Sequence, residues 1–390
     1  MKGRGISMSK TILKTETDVR DFARGCTLLG TGGGGLEENG VEGLLSELNA
    51  GREISWIDVD DVPDDALTAC PFLMGTIAPH TEETIKEMAT YNMTEKTELY
   101  KEKDRISHSI TELEEYIGKK IQAVVPLELG GASTCGCLAA GVANGIPAVN
   151  GDYTGRAIPE IPQTTPYLKD YPMWPLSVVD AYGNVSIIKS SINHRVIEKM
   201  GKKLSEVAYG LTGDTGFLFT GKEMKEVILK GTLTRCLKLG RLIRETNEAG
   251  GDPVAAIVEE LGGWILCRGK LATEDTEDKE GYYWGYHTVE GTGDFAGKTA
   301  KVWFKNENHV CWVNDEVVAS SPDSVIIIND KTAMPCTNPR LAGLIGTDVA
   351  VIGLKAVDIF RSEKGVSILG PRYFGFDFDY IPIEKRLAKK

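Results

Sequence analysis

The stretch "IQAVVPLELGGASTCGCLAAGVANGIPAVN", residues Ile121 to Asn150, decides the fold. "IQAVVPLEL" and "IPAVN" read as buried strands, and "STCGCLAAGVANG" between them reads as a helix of small residues. Upstream, "TETDVRDFARGCTLL" opens with Thr and Asp as cap candidates and then places Val19, Phe22, Ala23 and Cys26 at helical spacing. "LEENGVEGLLSELNAG" reads as a second helix. "EISWIDV" and "CPFLMGTIA" read as strands, and the charged segment Thr81–Lys120 reads as one or two helices with a solvated face. Strands alternating with helices predict an α/β domain with a mainly parallel sheet.

That rhythm fades near Pro162. Beyond it, "WPLSVVDAYGNVSIIKS" has a strand–turn–strand pattern around Gly183-Asn184. "GKEMKEVILKGTLTRCLKLGRLIRETNEAG" reads as one long helix and "DPVAAIVEEL" as a shorter one. The runs "GYYWGYHTVEG", "KTAKVWFKNEN", "HVCWVND", "EVVASS" and "DSVIIIND" predict a compact antiparallel sheet or barrel. The expected fold class is therefore α/β, with an N-terminal α/β domain over residues 10–166. A C-terminal, largely β domain with inserted helices follows over residues 167–384.

Composition narrows the function classes. Among 390 residues, 44 are basic and 56 acidic, a net charge of −12 that disfavours nucleic acid and anionic membrane surfaces as partners. No run reaches the ~20 apolar residues of a membrane helix. "MKGRGISMSK" lacks the apolar core of a secretory signal, and Met8 is an alternative start. Eight cysteines in a chain this long suit a reducing cytoplasm better than a disulfide framework. Cys135 and Cys137 form a CxC pair without a second pair at zinc-finger spacing. The five histidines, His80, His108, His194, His287 and His309, lack the HExxH spacing of a zincin.

Three segments carry candidate chemistry. "LLGTGGGGLEENG", Leu28–Gly40, packs five glycines into Gly30–Gly35 between two helices. Without a following Lys-Ser/Thr or a preceding strand it is not a phosphate loop. It reads as a flexible turn, or as a side-chain-free wall in which Gly32, Gly33 and Gly34 present backbone N–H groups to a carboxylate or planar amide. "PLELGGASTCGC" places Glu128 at a strand end, as a general base, a metal ligand or a helix cap, with Gly131 at the turn beyond it. Cys135 in the following helical turn is either a packed thiol or a nucleophile. "NGDYTGRAIPEIPQTTP" groups Asp152, Arg156 and Glu160 at the next strand end, where Arg156 can grip a carboxylate and Asp152 can orient water. In the second half, Asn306 in "FKNENHVCW" reads as a turn or a ligand contact. The aromatic tail "GPRYFGFDFDY" is expected to pack across the first domain or onto a partner subunit, and a homo-oligomer is expected.

Taken in order, "LLGTGGGG", "ELGG", "GDYTGRAIPEIP", "FKNEN", "SPDSV" and "GPRYFGFDFDY" resemble the domain-of-unknown-function 917 family. That family is described as similar to S-methyl thiohydantoin desulfurases and is associated with hydantoinase/oxoprolinase proteins. The resemblance spans about residues 15 to 383. It implies hydrolytic C–S cleavage of a thiohydantoin- or hydantoin-like ring, with Gly32–Gly35, Glu128, Gly130, Gly131, Asp152, Gly155, Arg156 and Glu160 matching family motifs. This chain departs from the family at Asn150, where an acidic residue is usual, and at Ile158. The mechanism it suggests is attack on ring carbon C2 by water activated by Asp152 or Glu128, or by a thiol at Cys135 or Cys137. Arg156 or the glycine-loop N–H groups would hold the developing charge. No cofactor is required by this scheme, and a divalent metal is the one addition the carboxylates leave open. The alternative class is a non-catalytic subunit of a hydantoinase/oxoprolinase-type complex.

Overall fold

A computed structural model describes residues 10–75 and 80–388. Seventeen strands follow in chain order: β1 (Lys10–Leu13), β2 (Ile54–Ile57), β3 (Leu67–Met74), β4 (Ala123–Val124), β5 (Ala148–Val149), β6 (Gly151–Asp152), β7 (Leu176–Val179), β8 (Val185–Ile188), β9 (Thr212–Thr220), β10 (Leu229–Lys230), β11 (Trp264–Lys279), β12 (Tyr282–Gly291), β13 (Thr299–Lys305), β14 (Glu307–Val313), β15 (Glu316–Ser320), β16 (Ser324–Asn329) and β17 (Asp348–Leu354). The first sheet has the order β1-β2-β5-β4-β3-β9-β7-β8. Its centre, β2-β5-β4-β3, is parallel, and antiparallel strands extend it at both sides. The second sheet is antiparallel throughout, in the order β15-β14-β13-β12-β11-β17-β16, and forms a half-barrel. The expected α/β domain followed by a β-rich domain is the architecture the chain adopts. β7–β9 belong to the first sheet although they lie beyond residue 166.

The helices α1 (Glu16–Leu29), α2 (Glu37–Asn49), α3 (Glu82–Thr90), α4 (Glu102–Ile117), α5 (Gly131–Ala143), α6 (Thr165–Leu168), α7 (His194–Val207), α8 (Gly221–Val227), α9 (Thr232–Glu248) and α10 (Pro253–Leu261) follow in chain order. Between the sheets, α1, α2, α4, α5, α9 and α10 carry a shared core, whereas α7 and α8 pack on the other face of the first sheet. The two-residue period of the second sheet is visible in its burial. Ile326, Ile328, Ala350 and Ile352 face this helical core, whereas Val325, Ile327, Val349 and Val351 face the core of the half-barrel. One apolar layer therefore belongs to both domains.

Local chemistry explains the element ends. Thr15 caps α1 in a reciprocal capping box with Asp18. The single long helix expected over Gly221–Gly250 is instead α8 and α9. Ile228 turns extended, Leu229–Lys230 pairs with Gly151–Asp152, and Gly231 sits at φ +82° before α9 begins. That pairing, between residues far apart in the chain, overrides helix propensity. The strand expected over Cys70–Ala78 is seen as far as Met74; Thr76 to Ala78, like Met8, lie outside the described residues. No helix among the described residues is long and apolar enough to cross a membrane.

α1 and α9 cross so closely that a Cβ on Gly240 would overlap the Asp21 carbonyl, and one on Gly25 the Cys236 carbonyl. Gly240→Ala should therefore destabilise the chain by about 1–3 kcal/mol, measured as a lowered urea midpoint. Gly43→Ala, in α2 with nothing closer than 3.7 Å, should be neutral or gain up to about 1 kcal/mol.

Candidate functional site

The glycine loop joins α1 to α2 and is wedged between the domains. Thr31, Gly32, Gly34 and Gly35 all have φ between 51° and 93°, a region that costs glycine little. Gly34 packs on Gly130 and Gly35 on Ala132, and the Gly34 carbonyl accepts from Ala132 N and Ser133 N, both at 3.1 Å. On the other side the loop meets the β13–β14 reversal. Asn308 N donates to Thr31 O and Asn338 N to Gly32 O, each at 2.8 Å. A Cβ on Gly33 would overlap the Glu307 carboxylate, and one on Gly32 would lie 2.8–2.9 Å from the carboxamides of Asn338 and Asn308. The glycines are required because two domains close on bare backbone.

Arg156 is fully buried and bonded to both domains. Its Nε donates to Ala157 O at 3.0 Å, Nη1 to Ser321 Oγ at 3.3 Å and Pro322 O at 3.5 Å, and Nη2 to Thr31 Oγ1 and Asn308 O at 2.9 Å. Five N–H groups meet five neutral acceptors, so the fork expected to grip a ligand is already engaged. Burial lowers its pKa to about 10 despite the pull of Glu307, Asp323 and Glu128. His309 Nδ1 lies 2.7 Å from Ser321 Oγ. Burial and the Arg156 charge hold His309 far below its ordinary pKa, so the neutral ring accepts the Ser321 proton while the Ser321 oxygen accepts from Arg156.

Three buried carboxylates flank this part of the chain without an ion pair to Arg156. Glu128 accepts from Ile158 N at 2.9 Å, and burial pushes it up to about 7. Glu307, which in sequence reads with Asn306 and Asn308 as a hairpin turn or a polar cluster, is buried and carries an unpartnered Oε2. Burial and then the nearby Glu128 charge raise its pKa well above the ordinary range, while Arg156, Lys202 and the Gly34 N–H pull it down. Asp152 is raised to about 6 by burial, against bonds from Gly155 N at 2.6 Å and Thr154 N at 3.0 Å. Those bonds fold residues 152–155 into the turn that delivers Arg156, so Asp152 builds the frame of this cluster and is joined to the glycine loop through Thr154 and Arg156. Among the described residues no group of three or more His, Cys, Asp or Glu could hold a metal ion, so these carboxylates do not form a ligand set.

The other expected site residues separate. Glu160 forms an ion pair with Lys305 and accepts from Tyr373 Oη at 2.5 Å, which ties the tail to both domains. With Glu198, Lys202 and Tyr282 they line a cleft of about 750 Å³ between the domains. Gly32 and Gly35 line a separate cavity of about 290 Å³ with Arg105, Tyr182 and Tyr209. Gly131 lies against Thr27 and the start of α2, away from both cavities. Asn306 is a turn residue at φ +56°: its N–H continues the ladder to Tyr283 O at 2.6 Å, and its Oδ1 accepts from Tyr283 N at 2.8 Å. Cys135 is fully buried in the helical core against Cys26, far from a nucleophile's exposure. The sequence signal for Glu198 and Lys202 was the four-residue spacing of polar groups on α7, a helix the reading did not place.

Two core sheets sharing one helical layer, with buried charged groups where a glycine loop meets a β-reversal, define a two-domain α/β plus β protein. Family models named S-Me-THD-like, N-terminal domain and S-Me-THD-like, C-terminal domain match residues 17–190 and 192–383. The chain belongs to this S-methyl thiohydantoin desulfurase-like family. A crystal structure of a protein from Chromobacterium violaceum has the same fold, with a TM-score of 0.73 at 19% identity, covering 96% of this chain and 100% of that one. No curated protein matches the chain.

Between the ordinary carboxyl range and about 7, folded Glu128 keeps a proton that the unfolded chain has released, so stability falls as pH rises through that window. Urea midpoints taken from pH 5 to 8 should decline less steeply in Glu128→Gln than in the native chain. Parallel profiles would place that proton elsewhere.

Proposed function

We propose that the chain is a hydrolase that removes sulfur from a five-membered thiohydantoin-like ring. The observation that carries this reading is the burial of Glu128 and Glu307, both with pKa values raised by burial and both feeling the charge of Lys202, which lines the interdomain cleft. A pair of carboxyls that influence each other's titration divides into one proton holder and one proton acceptor near neutral pH. The cleft of about 750 Å³ is of the size that takes a small molecule. Family membership supports the thiohydantoin class of substrate.

In this reading Glu128 and Glu307 share one proton, and the pair takes up a second from water through the unpartnered Oε2 of Glu307 as the oxygen adds to the ring's thiocarbonyl carbon. The carbon–sulfur bond then breaks, the carbonyl forms, and sulfur leaves as hydrogen sulfide. Water supplies the oxygen and the protons, so no oxidant or reductant is needed. Arg156 contributes a fixed positive charge rather than a hydrogen bond to the ring, because its donors are occupied.

Sulfide release from thiohydantoins, with and without added divalent metal, tests the reading. Glu307→Gln should lower kcat by about 10²–10⁴-fold with little change in melting temperature. A native chain that is stabilised selectively by the ring but never releases sulfide would be a binding subunit, and the proposal would fall.

A further inference from the structure

A lysine is almost never fully buried unless it is paired with an acid. Lys202 on α7 breaks that rule. It is buried, and among the described residues its Nζ has no carboxylate within ion-pair distance. Its polar contacts are two long ones, to Gly75 O at 3.2 Å and Gly281 O at 3.4 Å, and it stands 4.3 Å from the centre of the Tyr282 ring. Lys305, across the same ring at 4.0 Å, is by contrast committed to Glu160. Arg156 has no donor to spare. Lys202 is thus the buried cation of the site whose hydrogen-bonding capacity is least used, and it lines the cleft while feeling the charges of Glu307 and Glu128 behind it.

We propose that Lys202 is a catalytic amine of the desulfurisation described above, delivering its proton to the sulfur as the carbon–sulfur bond breaks. The inference rests on that functional reading. When water adds to the thiocarbonyl carbon, the electron pair of the C=S double bond moves onto sulfur, and the ammonium of Lys202 faces that developing thiolate. As the tetrahedral adduct collapses, the C–S bond breaks, the sulfur takes the Lys202 proton and then the proton of the added hydroxyl, and the added oxygen becomes the carbonyl oxygen. The amine regains a proton from the carboxyl that accepted one from water, so the cycle balances as ring thiocarbonyl plus water giving ring carbonyl plus hydrogen sulfide.

The surroundings suit a proton donor. Burial lowers the amine's pKa, while Glu198 on the same helix, Glu307 beyond the hairpin and Glu160 across the cleft raise it; Lys305 lowers it. Asp214 on β9 lies within reach of the same helix and is pushed up to about 8 by burial, which limits the negative charge it adds. Tyr282 donates to Glu198 at 3.0 Å, and burial raises the phenol, so it stays neutral beside the amine. Glu206, on the same helix, is paired with Lys203.

The test measures sulfide release by the native chain, Lys202→Met and Lys202→Arg over a range of pH, with methylamine added to the Met variant. The expected result is a loss in kcat of about 10²-fold or more in both folded variants, with KM changed less than about threefold. The native kcat should fall on an alkaline limb below the ordinary lysine range, Lys202→Arg should lack that limb, and methylamine should restore activity to Lys202→Met. If Lys202→Met does not fold, the Arg variant, which keeps the charge, decides alone. Retention of native kcat in either folded variant, or an unshifted alkaline limb in Lys202→Arg, overturns the role of Lys202 and leaves the functional reading standing. A native chain that releases no sulfide overturns both.

Discussion

A guanidinium taken out of water must find an acceptor for each of its five N–H groups, and the cost of failing rises as the surroundings become less polar. Arg156 finds Ala157 beside it, Thr31 in the glycine loop, and Asn308, Ser321 and Pro322 in the second domain. Those acceptors cannot all be met unless the two sheets close on the same loop. The conformation of residues 152–155, the bare backbone of Gly32–Gly34 and the neutral His309 ring all serve that closure.

A buried positive charge that, among the described residues, has no acid in contact sets the electrostatics of the groups near it. Glu128 and Glu307 are close enough to be influenced by it and by Lys202, yet neither forms an ion pair with either cation. Their protons are held by burial, with added repulsion from Asp152 on Glu128 and from Glu128 on Glu307, and a small movement or a bound ligand can shift them. Surface pairs such as Lys203–Glu206 are screened by water and contribute little of this kind.

Much of the fold was legible because it depends on local signals. The Ile121–Asn150 unit, the caps of α1 and the short runs of the half-barrel follow from period and turn chemistry. The glycine loop, Glu128 and Arg156 were also legible, as unusual residues at strand ends. Three things were not. The break between α8 and α9 depends on a pairing with Gly151–Asp152, about eighty residues upstream. Glu307 looked like part of an Asn-rich turn, and only the glycine loop lying against it makes it a buried acid. Cys135 stood in a helical first turn that favours a reactive thiol, but that face of α5 turned toward Cys26 and the helical core.

The sequence by itself determined the order of elements, the two-part architecture and the places where the backbone had to be glycine, since these follow from side-chain period and sterics within a few residues. The tertiary structure decided which polar groups are buried and what they bond to. Asp152 became a turn-former, Arg156 a staple, Glu160 a partner for Lys305, and Lys202 an amine buried without an acid in contact. Charge and proton affinity depend on how much water is removed and which groups from distant segments take its place, and no local pattern encodes that.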